Sequence, residues 1–247
     1  MGKVEDYRAQ LKAMDDWDVF LLQESRLPGP RANLELAYAV AWEGNEAQFL
    51  RLAALGPEEA PQNTAREFLA FCGVMGLGYL AARDAGEHFT LLRQKASDPR
   101  WRIREAVALG LQKYGLASLE HLLPLMEEWG QGTLLERRAV VATLCEPGLL
   151  QDPPETGRIL DILHHITASI LDEADRRMEA FKVLRKALAY GWSVVVVAQP
   201  ALGKPRMEQW IDSDDPDIRW IMKQNLKKKR LIRMDEAWVE AQLAVLE

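Results

Sequence analysis

The chain has 247 residues, of which 48% are hydrophobic and 28% are charged, and its net charge is -6. This composition indicates a globular chain that is long enough to bury a core, and it argues against a disordered one. The polar N-terminus lacks the apolar core of a signal peptide, and no apolar run reaches the length of a membrane span. Two cysteines, Cys72 and Cys145, are too few for a disulfide framework, so we expect a soluble, cytoplasmic protein.

The charges are unevenly distributed along the chain. Residues 1–92 hold 14 Asp and Glu against 8 Lys and Arg, whereas residues 93–247 hold 23 of each. The overall sign argues against a protein that coats nucleic acid in general. The second half nevertheless contains enough cations for a local basic groove.

Helical periodicity dominates the apolar pattern. The i, i+3, i+4 spacing is followed by Phe68, Phe71, Cys72, Met75 and Tyr79. The β-branched run 194–197 continues a helical pattern, so we predict a buried helix there. No segment shows the alternation expected of a strand, and the chain is therefore predicted to be all-α.

Helix boundaries are predicted from caps, prolines and glycines. Side chains suited to N-caps are Asn33, Asn63, Asp98 and Asp215, with Pro99 and Pro216 at the first helical position. Helix ends are predicted near Gly44, Gly56, Gly115, Gly130 and Gly203. The glycines at 73, 76 and 78 lie inside a helical pattern, and we interpret them as positions where helices pack closely.

A repeated pattern marks two helix starts. Asp-Pro-x-apolar-Arg occurs at residues 98–102 and again at 215–219, which are 117 residues apart, or three intervals of 39. Arginines recur between them at comparable spacing. Paired-helix repeats of about 40 residues fit these intervals, and because one repeat cannot bury its apolar face alone, neighbouring repeats must stack.

Residues 98–110, Asp-Pro-Arg-Trp-Arg-Ile-Arg-Glu-Ala-Val-Ala-Leu-Gly, resemble the second-helix signature of the HEAT-repeat family. The match is fair at 213–226 and weak elsewhere. The resemblance implies a right-handed α-α superhelix, a solenoid of about six paired-helix repeats. It would form a single domain over residues 1–247, with residues 1–30 either docking on the solenoid or packing separately.

A narrower resemblance involves residues 185–192, Arg-Lys-Ala-Leu-Ala-Tyr-Gly-Trp, which are similar to a segment of the DNA alkylation repair HEAT-like glycosylases. That family holds duplex DNA on a concave face and excises alkylated bases with an aspartate, an arginine and tryptophans. Residue by residue, these roles would fall on Glu105, on Arg137 or Arg138, and on Tyr190. Glutamate replaces the family's aspartate, tyrosine its tryptophan and Ala189 its glycine. We take Glu105, Arg138 and Tyr190 as the candidate catalytic residues.

Cations and aromatic residues at equivalent places in successive repeats would form a basic stripe if they faced inward together. The candidate nucleic-acid-binding residues are Trp101, Arg102, Arg104, Arg137, Arg177, Lys186, Lys227 and Lys228. We expect Trp101 and Trp220 to be partly exposed, because each lies beside arginine near a helix start. The cysteines are expected to be buried, and no cofactor or metal site is expected, since His164, His165 and Asp161 lack a further ligand.

Three functions remain open at this stage. The first is binding of an extended partner, which we expect to be nucleic acid such as duplex DNA, without strong catalysis. The second is a protein-interaction scaffold that uses the acidic N-terminal half or exposed aromatic residues. The third is a DNA glycosylase for alkylated bases.

Overall fold

The structure is a computed structural model that describes residues 2–82 and 88–246. Within these ranges the protein is all-helical, with fifteen α-helices, one short 3-10 turn and no strand, which confirms the all-α class. No helix of the described ranges is long and apolar enough to span a membrane. The chain divides into two compact units, here called the N-terminal unit, which ends at Ala117, and the C-terminal unit, which begins at Ser118.

The described part of the N-terminal unit contains the helices α1 (Lys3–Lys12), α2 (Asp18–Glu24), α3 (Leu34–Glu43), α4 (Glu46–Ala53), α5 (Ala65–Ala81), α6 (Phe89–Lys95) and α7 (Trp101–Ala117). Helix α5 lies at the centre and contacts α2, α3, α4, α6 and α7. Its sequence is apolar on nearly every side, as a helix surrounded by neighbours requires. Helix α1 packs on α3 and α2 packs on α5, so the N-terminal segment is part of this unit.

Three glycines of α5 lie where neighbouring helices approach most closely. A Cβ atom at Gly73 would overlap Leu52 and the backbone of α4, and one at Gly76 would overlap the ring of Phe49. Gly78 faces Gly110 of α7 so closely that a Cβ atom would overlap its backbone. This arrangement confirms that the glycine-rich segment serves helix packing.

The C-terminal unit contains α8 (Leu119–Trp129), α9 (Leu134–Leu144), the 3-10 turn (Pro147–Leu149), α10 (Pro153–Ala168), α11 (Glu179–Ala198), α12 (Pro200–Ile211), α13 (Pro216–Leu226), α14 (Lys229–Met234) and α15 (Glu236–Val245). Alternate helices are neighbours: α10 contacts α8 and α12, and α11 contacts α9 and α13. These contacts form two rows of helices, α8–α10–α12 and α9–α11–α13. The two rows also contact each other, since α10 packs on α11 and α12 packs on α13.

Helix α11 is held in the middle of this unit by buried polar contacts. The indole of Trp192 is fully buried and donates a hydrogen bond to Thr167 of α10, with 3.1 Å between Nε1 and Oγ1. Asn225 of α13 donates to the carbonyl of Leu188 and accepts from the amide of Ser193, each at 2.9 Å. Because these buried groups are hydrogen-bonded, they fix the position of α11 without the cost of unpaired polar atoms.

One buried arginine joins the start of α7 to the end of α4. Arg100 is 2% exposed, and its Nε and Nη2 donate to the carboxylate of Asp98 at 2.9 and 2.8 Å. Its remaining N–H groups donate to the carbonyls of Leu55, Gly56 and Ala60, at 3.0 to 3.3 Å, just beyond α4. All five N–H groups of the guanidinium are therefore used.

A comparable contact occurs in the C-terminal unit. Arg176 lies before α11 and forms ion pairs with Asp215 at 2.7 Å and Asp217 at 3.0 Å. Its Nη2 also donates to the carbonyl of Ile170, just beyond α10. Asp215 is in turn the N-cap of α13 and accepts from the amides of Asp217 and Ile218. One arginine therefore links the end of α10 to the start of α13.

Several predicted helix boundaries are confirmed. Asn33 and Asp215 are N-caps, and Pro216 is the first residue of α13. Gly44 ends α3 and Gly130 ends α8, while Gly56 lies shortly after α4. The β-branched run at 194–197 lies within α11.

Other predicted boundaries are wrong. Thr64, not Asn63, caps α5, while Asn63 adopts a positive φ of 61° and accepts a hydrogen bond from Gly29. Helix α7 begins at Trp101, two residues after Pro99. Gly115 and Gly203 lie inside α7 and α12. Gly203 serves helix packing and not helix termination, because a Cβ atom there would overlap Val196 of α11.

The Asp98–Arg100 pair gives a stability prediction. Asp98→Ala should lower the free energy of unfolding by about 3 kcal/mol or more, because the buried guanidinium loses its carboxylate. The matched control is Asp152→Ala, since Asp152 is an exposed N-cap that accepts from the amide of Glu155; about 1 kcal/mol is expected there. Urea unfolding measures both losses, and equal losses would show that Asp98 is no more than a local cap.

Asp215 gives a prediction of pH dependence. Burial would raise the pKa of its carboxyl, but hydrogen bonds from Arg176 and from the first amides of α13 outweigh burial and hold the pKa below its ordinary value. Because the folded-state pKa is lowered, the stabilisation is complete above the unfolded value of about 3.9 and is lost as the pH falls through the folded value.

Asp215→Asn keeps an N-cap acceptor that cannot ionise. We expect the difference in free energy of unfolding between wild type and this variant to be constant from about pH 5 to 7 and to shrink below about pH 4. Urea unfolding at a series of pH values provides the measurement. A difference that persists unchanged at lower pH would contradict the role given to the ion pair.

Candidate nucleic-acid interface

The candidate site residues divide between the two units. Four lie in the first turns of α7, in the N-terminal unit: Trp101, Arg102, Arg104 and Glu105. Seven lie in the C-terminal unit: Arg137, Arg138, Arg177, Lys186, Tyr190, Lys227 and Lys228. The candidate catalytic residues are therefore drawn from both units, with Glu105 in the first and the other two in the second.

The two candidate arginines of α7 are buried and bonded within the N-terminal unit. Arg102 is 3% exposed, and its Nη1 donates to the fully buried carboxylate of Glu67 at 3.1 Å. Its Nη2 donates to the carbonyl of Gly29 at 2.6 Å. Arg104 donates through Nη1 to the carbonyls of Asp98 and Pro99. Both side chains hold the interior together, and neither guanidinium is on the surface where a phosphate could reach it.

Trp101 is the exposed member of this group. Its side chain is 39% exposed, and the guanidinium of Arg102 lies 4.4 Å from the ring centroid. Trp220 is also partly exposed, with the guanidinium of Arg185 at 3.9 Å from its ring, so the predicted exposure of both tryptophans is confirmed. Glu105 lies one turn beyond Trp101 and is half-buried.

The candidate arginines of the C-terminal unit have different surroundings. Arg137 and Arg138 lie near the start of α9 and are half-buried, whereas Arg177 is exposed before α11. Arg185, a further arginine at the spacing of the predicted stripe, is paired with Asp217 at 3.0 Å. The predicted basic stripe therefore has fewer free cations than the arginine spacing indicates. Several of its arginines form ion pairs or hydrogen bonds with residues of their own unit.

A different set of cations gathers around Tyr190 and is here called the basic tyrosine cluster: Lys186, Tyr190, Lys228 and Arg230. The side chain of Tyr190 is 48% exposed. Its phenol oxygen accepts a hydrogen bond from Nη2 of Arg230 at 2.6 Å, and the Arg230 guanidinium lies 4.4 Å from the ring centroid. The ammonium of Lys228 lies 5.8 Å from the same centroid, within the range of a cation–π contact.

The local sequence explains how Lys228 and Arg230 reach Tyr190 and why Lys186 lies nearby. Lys186 and Tyr190 are four residues apart on α11 and so lie on one face of that helix. Helix α13 ends at Leu226 and α14 begins at Lys229, so Lys228 lies in the short connection between them. Helix α14 packs on α11 and places Arg230, in its first turn, against Tyr190.

The basic tyrosine cluster carries an excess of positive charge over the described acidic residues. Among the described residues no carboxylate forms an ion pair with Lys186, Lys228 or Arg230. Lys227, the residue before Lys228, is exposed. Two uncompensated cations against an exposed aromatic ring, with Lys186 one helical turn away, form a surface that attracts anions.

Arg230 is the member of this cluster that the candidate set omits. It belongs to the basic run 227–230, whose density is visible in the sequence. Its contact with Tyr190 spans 40 residues and depends on how α14 turns back onto α11. The sequence therefore predicts the positive charge at 227–230 but not the contact of Arg230 with Tyr190.

A second surface feature lies in the N-terminal unit. A cavity of about 570 Å3 is lined in part by the rings of Tyr38, Trp42 and Tyr79. Trp42 is 44% exposed, and its ring is contacted by Arg8 at 5.0 Å and by Lys113 at 5.3 Å. An exposed tryptophan of this kind is a frequent anchor in protein–protein contacts.

The histidine pair of α10 has ordinary surroundings. His164 lies against the ring of Trp210, at 4.8 Å between centroids, and His165 lies 3.0 Å from the side-chain oxygen of Gln131. Asp161 is paired with Arg206 at 2.7 Å. Within residues 2–82 and 88–246, no group of three side chains is placed to hold a metal ion.

Both cysteines are buried, as predicted. Burial raises the pKa of the Cys145 thiol to about 12 and raises that of Cys72 well above its ordinary value. Both thiols are therefore protonated at neutral pH, and this protonation makes them poor nucleophiles.

Comparisons with protein-family models, with curated proteins and with solved structures give no match for this chain.

Proposed function

We propose that the protein binds the phosphate backbone of nucleic acid through the basic tyrosine cluster of its C-terminal unit. The observation that carries the proposal is the pair of cations, Lys228 and Arg230, that contact the exposed Tyr190, with Lys186 one helical turn away on α11; none of the three is paired with a described carboxylate. Nucleic acids are bound largely through neutralisation of their phosphates by Lys and Arg. Arginine and tyrosine also offer hydrogen-bond donors to phosphate oxygens.

We further propose that the chain is a HEAT-like solenoid, a right-handed α-α superhelix of about six paired-helix repeats. Two observations within the C-terminal unit support this proposal. Alternate helices pack side by side in two rows, as stacked helical pairs do. The contact of Arg176 with the N-cap Asp215 also joins successive pairs, as the arginine of the HEAT signature does.

Base excision by the residues of the alkylation repair resemblance is disfavoured by charge at Tyr190. That chemistry requires an aromatic face for a cationic base and for an oxocarbenium-like sugar. Here the ring of Tyr190 already carries the guanidinium of Arg230 and lies near the ammonium of Lys228. Like charges repel a cationic base and attract a phosphate, so the cluster suits binding better than excision.

A protein-interaction role is the second candidate. It is favoured by the aromatic cavity around the exposed Trp42 in the N-terminal unit, which is also the acidic part of the chain. Trp42→Ala would weaken the binding of a protein partner at this cavity and would leave nucleic-acid binding by the C-terminal unit intact. The two candidates thus depend on different residues.

Charge reversal in the cluster tests the proposed function. The double variant Lys186→Glu, Lys228→Glu should bind duplex DNA more weakly, and its slope of log K against log salt should be smaller by about 0.9 for each phosphate that the protein no longer neutralises. Fluorescence anisotropy at several salt concentrations measures both quantities. The matched control is Arg31→Glu with Arg66→Glu, which makes the same change in net charge at exposed positions of the N-terminal unit. Equal weakening in the two double variants would contradict a local site.

The cations on the ring of Tyr190 lead to a second prediction, which concerns base excision. The wild-type protein should release no methylated purine from alkylated duplex DNA under conditions in which it binds that DNA. Chromatography of the released bases is the measurement, with Glu105→Gln as the control variant. Base release by the wild type that Glu105→Gln abolishes would show that the protein is a glycosylase.

A further inference from the structure

The hydroxyl of Tyr190 is oriented by its neighbour. Because Nη2 of Arg230 donates to the phenol oxygen at 2.6 Å, the oxygen is an acceptor in this contact and its own hydrogen remains available to donate elsewhere. The side chain is 48% exposed, so the acceptor for that hydrogen can come from solvent or from a ligand. The cluster therefore presents an O–H donor next to guanidinium and ammonium donors.

The number of charges indicates what kind of phosphate fits. The cluster holds three cations without a described carboxylate partner. A phosphodiester within a strand carries one negative charge. A terminal phosphate monoester carries about 1.5 to 2 at neutral pH and has three strong acceptor oxygens. The concentration of positive charge matches the monoester better.

The position of Arg230 also argues against base recognition by Tyr190. The guanidinium lies 4.4 Å from the ring centroid, and Lys228 approaches the same ring to 5.8 Å. A base that stacked on the ring face covered by the guanidinium would have to displace it, and a cationic base would meet like charge on either face. An anion would instead contact the cations where they are, since cation–π contacts leave the N–H groups at the edge free to donate.

We infer that the basic tyrosine cluster is a binding site for a terminal phosphate monoester, such as the 5′-phosphate at the end of a nucleic-acid strand. The inference rests on the proposed function, which it narrows from phosphates in general to the phosphate at a strand end. In this site Arg230 and Lys228 neutralise the charge, Lys186 adds a further cation from α11, and the hydroxyl of Tyr190 donates to one phosphate oxygen.

The test compares two short duplexes that differ only in a 5′-phosphate or a 5′-hydroxyl. We expect the wild-type protein to bind the phosphorylated end about tenfold more tightly, because the phosphate adds negative charge and three strong acceptor oxygens where the hydroxyl offers one neutral oxygen. The preference should grow as the pH rises from about 5 to 7.5, since the second proton of the monoester dissociates near pH 6. Fluorescence anisotropy at fixed salt measures both effects.

Tyr190→Phe provides the matched variant, because it keeps the ring but removes the hydroxyl and the hydrogen bond that this hydroxyl accepts from Arg230. The ratio of the affinities for the two duplexes should fall toward one, because the hydroxyl donates to the terminal phosphate and orients Arg230. A lower affinity for both duplexes with an unchanged ratio would contradict the strand-end site. The control is Tyr114→Phe, which removes a hydroxyl from a buried tyrosine of the N-terminal unit. The preference should remain in that control.

The outcomes separate this inference from the proposed function. Equal binding of both duplexes would overturn the strand-end site and leave nucleic-acid binding in place. Failure to bind either duplex would overturn both. If a free nucleoside 5′-monophosphate binds as tightly as the phosphorylated duplex, the cluster is a site for a small phosphate ester and not for a strand end, and the inference is overturned.

Discussion

The buried guanidinium of Arg100 determines much of the geometry of the N-terminal unit. An unpaired cation in this position would cost several kcal/mol, so its five N–H groups require their acceptors to be in place together. The acceptors come from Asp98, directly before α7, and from three carbonyls beyond α4. The direction in which α7 leaves its first turn is therefore tied to the end of α4. That direction in turn places Gly110 against Gly78 and leaves Trp101 at the surface.

The C-terminal unit uses the same chemistry with a different order along the chain. There the arginine, Arg176, precedes α11, and the aspartates lie at the start of α13. In both units an arginine is bound at once to carbonyls that follow a helix and to an aspartate at a helix start. The arginines near helix starts thus divide into two groups. Arg100 and Arg176 join helices, whereas Arg177 is exposed on the surface. Around Tyr190, the positive charge comes from two lysines and from Arg230.

The sequence predicts the helical class and many helix boundaries, because caps and apolar spacing are local signals. It also predicts that the glycines of α5 serve packing, because they interrupt no periodicity. It does not separate Arg102 and Arg104, which are buried, from Lys186, which is exposed, since the sequence does not show which cation of a helix will find buried partners. The difference depends on which carbonyls and carboxylates come near, as with Glu67 and Arg102 across 35 residues. The partnership of Tyr190 with Arg230 is equally non-local.

The direct approach of Gly78 to Gly110 limits how this protein can vary in sequence. Most core contacts tolerate paired changes, in which a larger residue on one helix is matched by a smaller one on the other. Here both partners already have the smallest side chain there is, and the backbones of α5 and α7 touch. A methyl group added on one helix has no compensating reduction on the other, so it must push the helices apart. We therefore expect this pair to vary less among descendants of this chain than the larger residues packed around it.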